Sequence, residues 1–211
     1  MKLVSVGLAR SVWFMDVSEL NPGGKDIFTE VVPALVQDYS FKIYPQHGGD
    51  FKEGMKFVNG VFTASRGDSL TVALTVWNDG IAADTYVSTK DSDEFLEEVL
   101  GTLPDLGFSY EPTMVRRKAY LSQLSVKSTV DLNVLNPKLV EFAKKISSAS
   151  QTTYNLSAVE FWPDQTQPIK PANFSFQKKL GESPSDRYWS QAGMSTSKHL
   201  ELLEELEAIL A

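Results

Sequence analysis

Hydrophobic residues alternate with small or polar residues along the first part of the chain, which is typical of a strand that buries one face. The apolar positions share one parity, and they are Val4, Val6, Leu8, Val12 and Phe14. The other parity holds Ser5, Gly7, Ala9 and Ser11. The pattern predicts a first strand with its apolar parity turned toward the core, interrupted only by Arg10.

A helix is predicted after the turn signal Asn21-Pro22-Gly23-Gly24. Apolar residues recur there at helical spacing between Ile27 and Val36. Pro33 lacks the N–H that an interior helical turn needs. We therefore expect a helix that starts near Thr29 or one that is kinked at Pro33.

Three turn-forming dipeptides divide residues 54–103 into β-like runs, and they are Asn59-Gly60, Gly67-Asp68 and Asp79-Gly80. Dipeptides of this kind supply the positive φ that two-residue hairpins need. The region is predicted to form a meander of about four strands. Pairing across the first dipeptide places Phe57 opposite Phe62.

Pairing across Asp79-Gly80 gives one strand pair of this meander a well-defined apolar face. It places Val76 opposite Ala83, Leu74 opposite Thr85 and Val72 opposite Val87. A slip of one residue would expose the whole aliphatic row, so the hydrophobic pattern specifies which face is buried.

A helix is predicted directly after the meander. Asp91 is the expected N-cap, and Glu94 follows at the spacing of a capping box. Its apolar stripe is Phe95, Leu96, Val99, Leu100 and Leu103. Pro104 and Gly107 are expected to end it.

The second half of the chain mixes strands and helices without regular alternation. The pattern predicts a strand over about residues 113–126, a helix introduced by Asn136-Pro137, and strands over about 153–162 and 173–180. An amphipathic helix rich in leucine and glutamate closes the chain. The predicted fold class is α+β, with an antiparallel β-meander sheet packed with helices and a C-terminal amphipathic helix.

Length and composition fit one ordinary folded domain. The chain has 211 residues, of which 42% are hydrophobic and 22% charged. We predict a single α+β domain over residues 1–211, with residues 186–211 as a possible docking segment. The absence of cysteine excludes disulfides, thiolate zinc sites and cysteine nucleophiles.

The formal net charge of −7 argues against a protein that mainly coats nucleic acid, because phosphate neutralisation needs clustered lysine and arginine. No run of about 18 apolar residues is present, so no membrane span is predicted. The first ten residues are too polar for the core of a signal peptide. A cytoplasmic location is the expectation.

The sequence lacks the Gly-rich phosphate loops, the Gly-x-Ser-x-Gly elbow and the His-Glu-x-x-His zinc motif. His47 stands in His47-Gly48-Gly49-Asp50, where an imidazole and a carboxylate are close enough in sequence to form a general base with an orienting group. A polar turn is the interpretation we favour. No catalytic residue, metal or cofactor is predicted.

Two further charged motifs have structural interpretations. Arg66-Gly67-Asp68 matches a three-residue adhesion signature, but Gly-Asp is also what a tight turn requires, and we predict a turn. Carboxylates are dense between residues 79 and 94, yet their spacing does not follow a calcium-binding loop. We expect them to form turns, an exposed strand face and a helix cap.

Arg116, Arg117 and Lys118 form a local basic cluster in this acidic chain. The cluster could contact a phosphate, a nucleic-acid strand or an acidic partner. It could also guard an edge strand against aggregation, which is the interpretation we favour. Nucleic-acid binding is therefore kept only as an alternative.

The last residues of the chain are the strongest candidates for a binding surface. Arg187, Tyr188 and Trp189 are of the types enriched at binding hot spots. They lie in the polar segment that precedes the terminal helix. The apolar residues of that helix include Leu203, Leu206 and Leu210. Both groups either complete the core or dock on a protein partner or a second copy.

Three functions are compatible with these features. The first is a non-catalytic protein–protein interaction protein or accessory subunit of a larger assembly, with the C-terminal helix as a possible contact. The second is an enzyme or small-molecule-binding protein of unfamiliar type that uses carboxylates and His47. The third is nucleic-acid contact through the basic cluster.

Overall fold

The chain begins with a long strand in this computed structural model, which describes residues 1–46, 54–164, 166, 170–179 and 186–210. The strands are β1 (Lys2–Phe14), β2 (Met55–Thr63), β3 (Ser69–Trp77), β4 (Gly80–Thr85), β5 (Arg117–Lys127), β6 (Ala158–Phe161), β7 (Phe174–Lys178) and β8 (Arg187–Ala192). The α-helices are α1 (Val31–Tyr39), α2 (Thr89–Thr102), α3 (Pro137–Ser150) and α4 (Thr196–Leu210).

The strands form one eight-stranded sheet in the order β2-β3-β4-β1-β5-β8-β7-β6. Within it, β2, β3, β4 and β1 pair antiparallel in succession, and so do β6, β7 and β8. The predicted α+β class, with an antiparallel meander, packed helices and a C-terminal helix, is confirmed.

Packing groups the chain into two compact units. Unit 1 comprises Met1–Gly7, Gln123–Gly193 and Ser197–Ala211. Unit 2 comprises Leu8–Ser122 and Met194–Thr196. Strands β1 and β5 contribute residues to both units, and the expectation of a single domain over residues 1–211 stays a prediction.

In unit 2, β1 buries the parity opposite to the predicted one. Ala9, Ser11 and Trp13 are buried, whereas Val12 and Phe14 are only half-buried. The small residues let α2 approach the strand closely, since Ser92 Oγ of α2 donates to the Ala9 carbonyl at 2.8 Å. Trp13 is the large side chain on the buried face of β1. A count of apolar residues on each side of the strand therefore identified the wrong side as buried.

Helix α1 begins two residues beyond the predicted start at Thr29. Pro33 lies in its first turn, where main-chain N–H groups have no partner inside the helix, so the proline is accommodated there. Val32, Leu35 and Tyr39 of this helix are buried.

The hairpin predicted at Asn59-Gly60 is wrong. Strand β2 runs through this dipeptide and carries a bulge between Phe57 and Gly60. Phe57 therefore pairs with Leu74 and Phe62 with Leu70 of β3, rather than with each other. Both phenylalanines are buried, and the meander has three strands instead of four.

The register of the β3–β4 hairpin differs from the predicted one by two residues. Val76 pairs with Ile81 and Leu74 with Ala83, because the turn residues are Asn78 and Asp79. Their carbonyls accept from the main chain of Val17 and Met15, at 3.0 and 3.2 Å. A shift of two leaves every side chain on its predicted face.

Helix α2 is capped by Ser88 rather than by the predicted Asp91. Ser88 Oγ accepts from the Asp91 main-chain nitrogen at 3.2 Å and donates to the Asp91 carboxylate. Glu94, the other predicted member of the capping box, accepts instead from the main chain of Ser65. The predicted apolar stripe is confirmed, since Phe95, Leu96, Val99, Leu100 and Leu103 are all buried.

Unit 1 has its own core, formed by Leu124, Val126, Leu132, Phe176, Tyr188, Leu203 and Leu210. The predicted helices α3 and α4 are present, and the two strands predicted after α3 appear as β6 and β7 in shorter form. In the polar segment before the last helix, residues Arg187–Ala192 form strand β8, which the sequence pattern did not predict.

Candidate functional site

The predicted binding residues of the C-terminal helix contribute mainly to the core of unit 1. Leu203 is 1% exposed and Leu210 is 6% exposed, while Leu206 is half-buried against the same cluster. This placement favours the interpretation that the buried stripe of α4 completes the core. It leaves the outer surface of the helix as the part available to a partner.

Tyr188 and Trp189 also pack within unit 1. The Tyr188 ring stacks on Phe176 with centroids 4.4 Å apart, and its hydroxyl donates to the Val130 carbonyl at 2.8 Å. The Trp189 ring covers Gly7, so that a Cβ at that glycine would collide with it. Arg187, at the start of β8, is half-buried. Alternation along β8 places Tyr188 in the core.

Replacing Tyr188 by Phe should lower the free energy of unfolding by about 1 kcal/mol, because the stacking remains while the Val130 carbonyl loses its donor. Urea denaturation measures the change. Tyr154→Phe is the matched control, since Tyr154 is 47% exposed. We expect that variant to stay within about 0.5 kcal/mol of the original chain. Equal losses in both variants would contradict the assigned hydrogen bond.

The basic cluster lies at the start of β5, a strand whose neighbours are β1 and β8. The contacts of β8 are with the other end of β5, where Gln123 Nε2 donates to Gln191 Oε1 at 2.8 Å. The interpretation of the cluster as an edge guard stays a prediction.

Arg116 forms an ion pair with Glu19 at 3.1 Å. The ammonium of Lys118 lies 3.8 Å from the centroid of the Trp13 ring. The two side chains therefore form a cation–π contact. Arg117 is exposed.

The same region holds a partly buried polar network on Asp93 of α2. Its carboxylate accepts from Trp13 Nε1 at 2.7 Å and from the Tyr120 hydroxyl at 3.0 Å. Burial, together with the Asp93 charge, raises the pKa of Tyr120 to about 12. Tyr120 therefore keeps its proton at neutral pH and serves as a donor to Asp93.

The other carboxylates of the acidic stretch have separate partners. Asp84 accepts two hydrogen bonds from Arg10, at 2.6 and 2.7 Å. Asp91 pairs with Arg66, which also pairs with Asp68 in the turn between β2 and β3. The turn predicted at Arg66-Gly67-Asp68 is thus confirmed. The His47-Gly48-Gly49-Asp50 motif lies outside the described residues.

Helix α3 and the residues just before it expose several apolar side chains of unit 1. Asn136 caps it, accepting from the main-chain nitrogens of Lys138 and Leu139 at 3.0 and 3.3 Å. None of its residues is buried. We call the following four side chains the α3 face, with exposed fractions of 56, 39, 46 and 58%: Val134, Leu135, Leu139 and Phe142.

The α3 face was not predicted as a binding surface. Leu135, Leu139 and Phe142 follow each other at helical spacing, which is the only signal in the sequence. Such spacing is equally typical of a helix packed on a core, and here Val140, Ala143 and Ser147 supply the half-buried side instead.

Helix α4 has a second apolar stripe besides the one that enters the core. We call Leu202 and Ile209 the outer α4 stripe; Ile209 is 74% exposed and Leu202 is half-buried. Their spacing places them along one side of the helix. Two helical surfaces of unit 1 therefore expose apolar side chains.

The two helices carry opposite charge. Lysines outnumber glutamates in α3 by three to one, giving 3 − 1 = +2, while α4 has one lysine and four glutamates, giving 1 − 4 = −3. Lys138 and Lys145 of α3 are exposed, and so are Glu204 and Glu205 of α4. Charge complementarity between such surfaces favours their association and fixes their relative orientation.

The described part of the chain contains no cluster of three or more His, Asp or Glu side chains arranged to hold a metal ion. Within the same residues, none of the helices combines the length and the apolar content that a membrane span requires. Neither the models of known protein families nor the curated protein sequences give a match to this chain.

Proposed function

We propose that this chain is a non-catalytic interaction protein that assembles with copies of itself, the α3 face of one copy packing on the outer α4 stripe of another. The exposed α3 face is the observation that carries the proposal. An isolated helix of about this length is marginal in water, so most of its stability must come from packing on an apolar surface. Fourteen residues with none buried leave that packing incomplete within one copy.

A second copy is the occupant that the charges favour. The α3 face is flanked by Lys138 and Lys145, and Glu205 lies beside the outer α4 stripe, three residues after Leu202 and four before Ile209. Two α3 helices facing each other would instead bring like charges together. Apolar contact at the centre with opposite charges at the rim is the usual composition of a protein interface.

The contact is heterologous, because it joins two different surfaces of the same chain. Such contacts close into rings or continue into open chains, depending on the rotation between successive copies. Each copy would then both offer its α3 face and receive a neighbour on α4. A protein built in this way would act as an assembly subunit.

Sedimentation velocity over a wide range of protein concentrations tests the proposal. The original chain should show a mass that rises above its 23.4 kDa with concentration. Phe142→Glu and Ile209→Glu should each abolish this rise, because each places a carboxylate in one half of the contact. Val61→Glu is the matched control, since Val61 is also exposed, on β2, and lies on neither helix.

Mixing the two defective variants gives the sharpest outcome. Phe142→Glu retains an intact α4, and Ile209→Glu retains an intact α3, so one good contact forms between them. The mixture should give a species of twice the chain mass and nothing larger. A chain that stays monomeric at every concentration, or a Phe142→Glu variant that associates as well as the original, would overturn the proposal.

A further inference from the structure

Unit 2 contains a partly open apolar cavity of about 100 Å³. It lies between α1 and α2 on one side and strands β2, β3 and β4 on the other. Its deep walls include Leu35, Phe57, Leu74 and Leu100, each less than 5% exposed. Protein cores are normally packed without voids of this size, so the space is a feature of the fold that needs an explanation.

Only one of the side chains that line the cavity is polar, that of Asn21, and it already forms hydrogen bonds within the chain. Asn21 accepts from the Lys25 main-chain nitrogen at 2.9 Å and donates to the Lys25 carbonyl at 2.8 Å. No further polar side chain lines the cavity to receive a ligand or to hold water. An ordered water needs two to four polar partners, so a neutral apolar group is the occupant that matches these walls.

The half-buried lining residues mark an entrance beside the segment that joins Asn21 to Ile27. We call residues 21–27 the strap. Lys25 of the strap donates to the Leu106 carbonyl at 3.1 Å, and its ammonium lies 5.6 Å from the centroid of the Phe108 ring. Phe108 itself lines the cavity, so Lys25 connects the strap to the cavity wall.

We propose that this cavity is a binding site for a small neutral hydrocarbon group, such as a single aromatic ring or the end of an alkyl chain. A closed cavity of about 150 Å³ with similar walls holds a whole benzene molecule. The present cavity is smaller but open at its entrance, so a ring or chain end would enter it in part. Burial of each CH₂ group contributes about 0.8 kcal/mol. The site uses no residue of α3 or α4, so it does not depend on the proposed self-assembly.

Thermal unfolding in the presence of benzene tests the site. A ligand that binds only the folded chain raises Tm, and we expect a saturable rise of about 2 °C or more. Val99→Phe fills the cavity from α2 and should abolish the rise. Leu96→Met is the matched control, because Leu96 is buried on the same helix but does not line the cavity.

A second variant protects the test against misfolding of Val99→Phe. Val31 is half-buried at the entrance, so Val31→Phe adds its ring where space is less restricted, and it should also prevent the rise in Tm. Hexanoate distinguishes the two sources of the hydrocarbon: protection by benzene alone indicates a free apolar molecule, and protection by both indicates the tail of an amphiphile. If neither ligand changes the Tm of the original chain, or if benzene still protects Val31→Phe fully, the proposal is wrong.

Discussion

Replacing Gly60 by Ala is expected to lower the free energy of unfolding by about 2 to 3 kcal/mol, because there is no room for the added methyl group. A Cβ at this position would lie 2.5 and 2.6 Å from two ring carbons of Phe41. The Phe41 ring is itself held in place, with centroids 5.3 Å from Phe57 and 6.0 Å from Tyr39. Relief of the collision would therefore disturb an aromatic cluster in the core of unit 2.

Two variants separate this collision from the general effect of replacing a glycine. Gly101→Ala is the matched control: Gly101 lies within α2 and has no atom near the position of an added Cβ. Alanine should stabilise the chain there by about 0.5 to 1 kcal/mol. Phe41→Leu combined with Gly60→Ala should lose less than the sum of the single losses, because a smaller side chain makes space. Urea denaturation that shows simple additivity would contradict the collision.

Position 60 also shows what a turn signal in a sequence can and cannot establish. Asn59 does adopt a positive φ, of 57°, as the Asn-Gly dipeptide predicts. That φ serves a bulge inside β2 instead of a hairpin, because the strand continues to pair with β3 on both sides of it. Local chemistry thus predicted the backbone conformation, and tertiary pairing determined what the conformation was used for.

The periodic patterns predicted which face of an element is buried better than they predicted which residues pair across strands. The stripe of α2 and the apolar face of the β3–β4 hairpin were right, since an error of two residues in register leaves the face unchanged. In β1 the same reasoning failed, because α2 packs so closely on the strand that the buried face needs small residues. That closeness is a property of the folded chain, and alternation along one strand contains no information about it.

The candidate surfaces were only partly predictable for a related reason. Helical spacing indicated that α4 is amphipathic, but it does not say which apolar residues the rest of the chain covers. In unit 1 the core receives Leu203 and Leu210 beside Tyr188 of β8. Because β8 was not predicted as a strand, the sequence could not assign that stripe of α4 to the core, nor identify the α3 face as the one left exposed.

His199 is expected to lower the free energy of unfolding at acid pH. The amino-acid sequence gave no indication that this residue has a role. The imidazole is completely buried in unit 1, and its Nε2 lies 2.8 Å from Ser190 Oγ. Since Ser190 donates its only proton to the Ser175 carbonyl, it accepts from Nε2–H of a neutral ring. Nδ1 has no hydrogen-bond partner among the described residues, so a second proton would be a buried donor without an acceptor.

Burial accordingly lowers the pKa of His199 from 6.5 to about 4. The unfolded chain takes up a proton at this residue as the pH falls through 6.5, and the folded chain does not until about pH 4. Stability is therefore highest above pH 6.5 and is lost progressively as the pH falls to 4. A pKa difference of this size corresponds to about 3 kcal/mol in the free energy of unfolding.

Denaturation at a series of pH values tests this expectation, and the presence of only two histidines makes the assignment simple. His47→Gln removes the other imidazole and serves as the background. In that background, the chain with His199 should lose about 3 kcal/mol more between pH 7 and 4 than the chain with His199→Gln. Titrating carboxylates affect both chains alike and cancel in the difference, so parallel stability curves would mean that His199 is not the buried neutral imidazole described here.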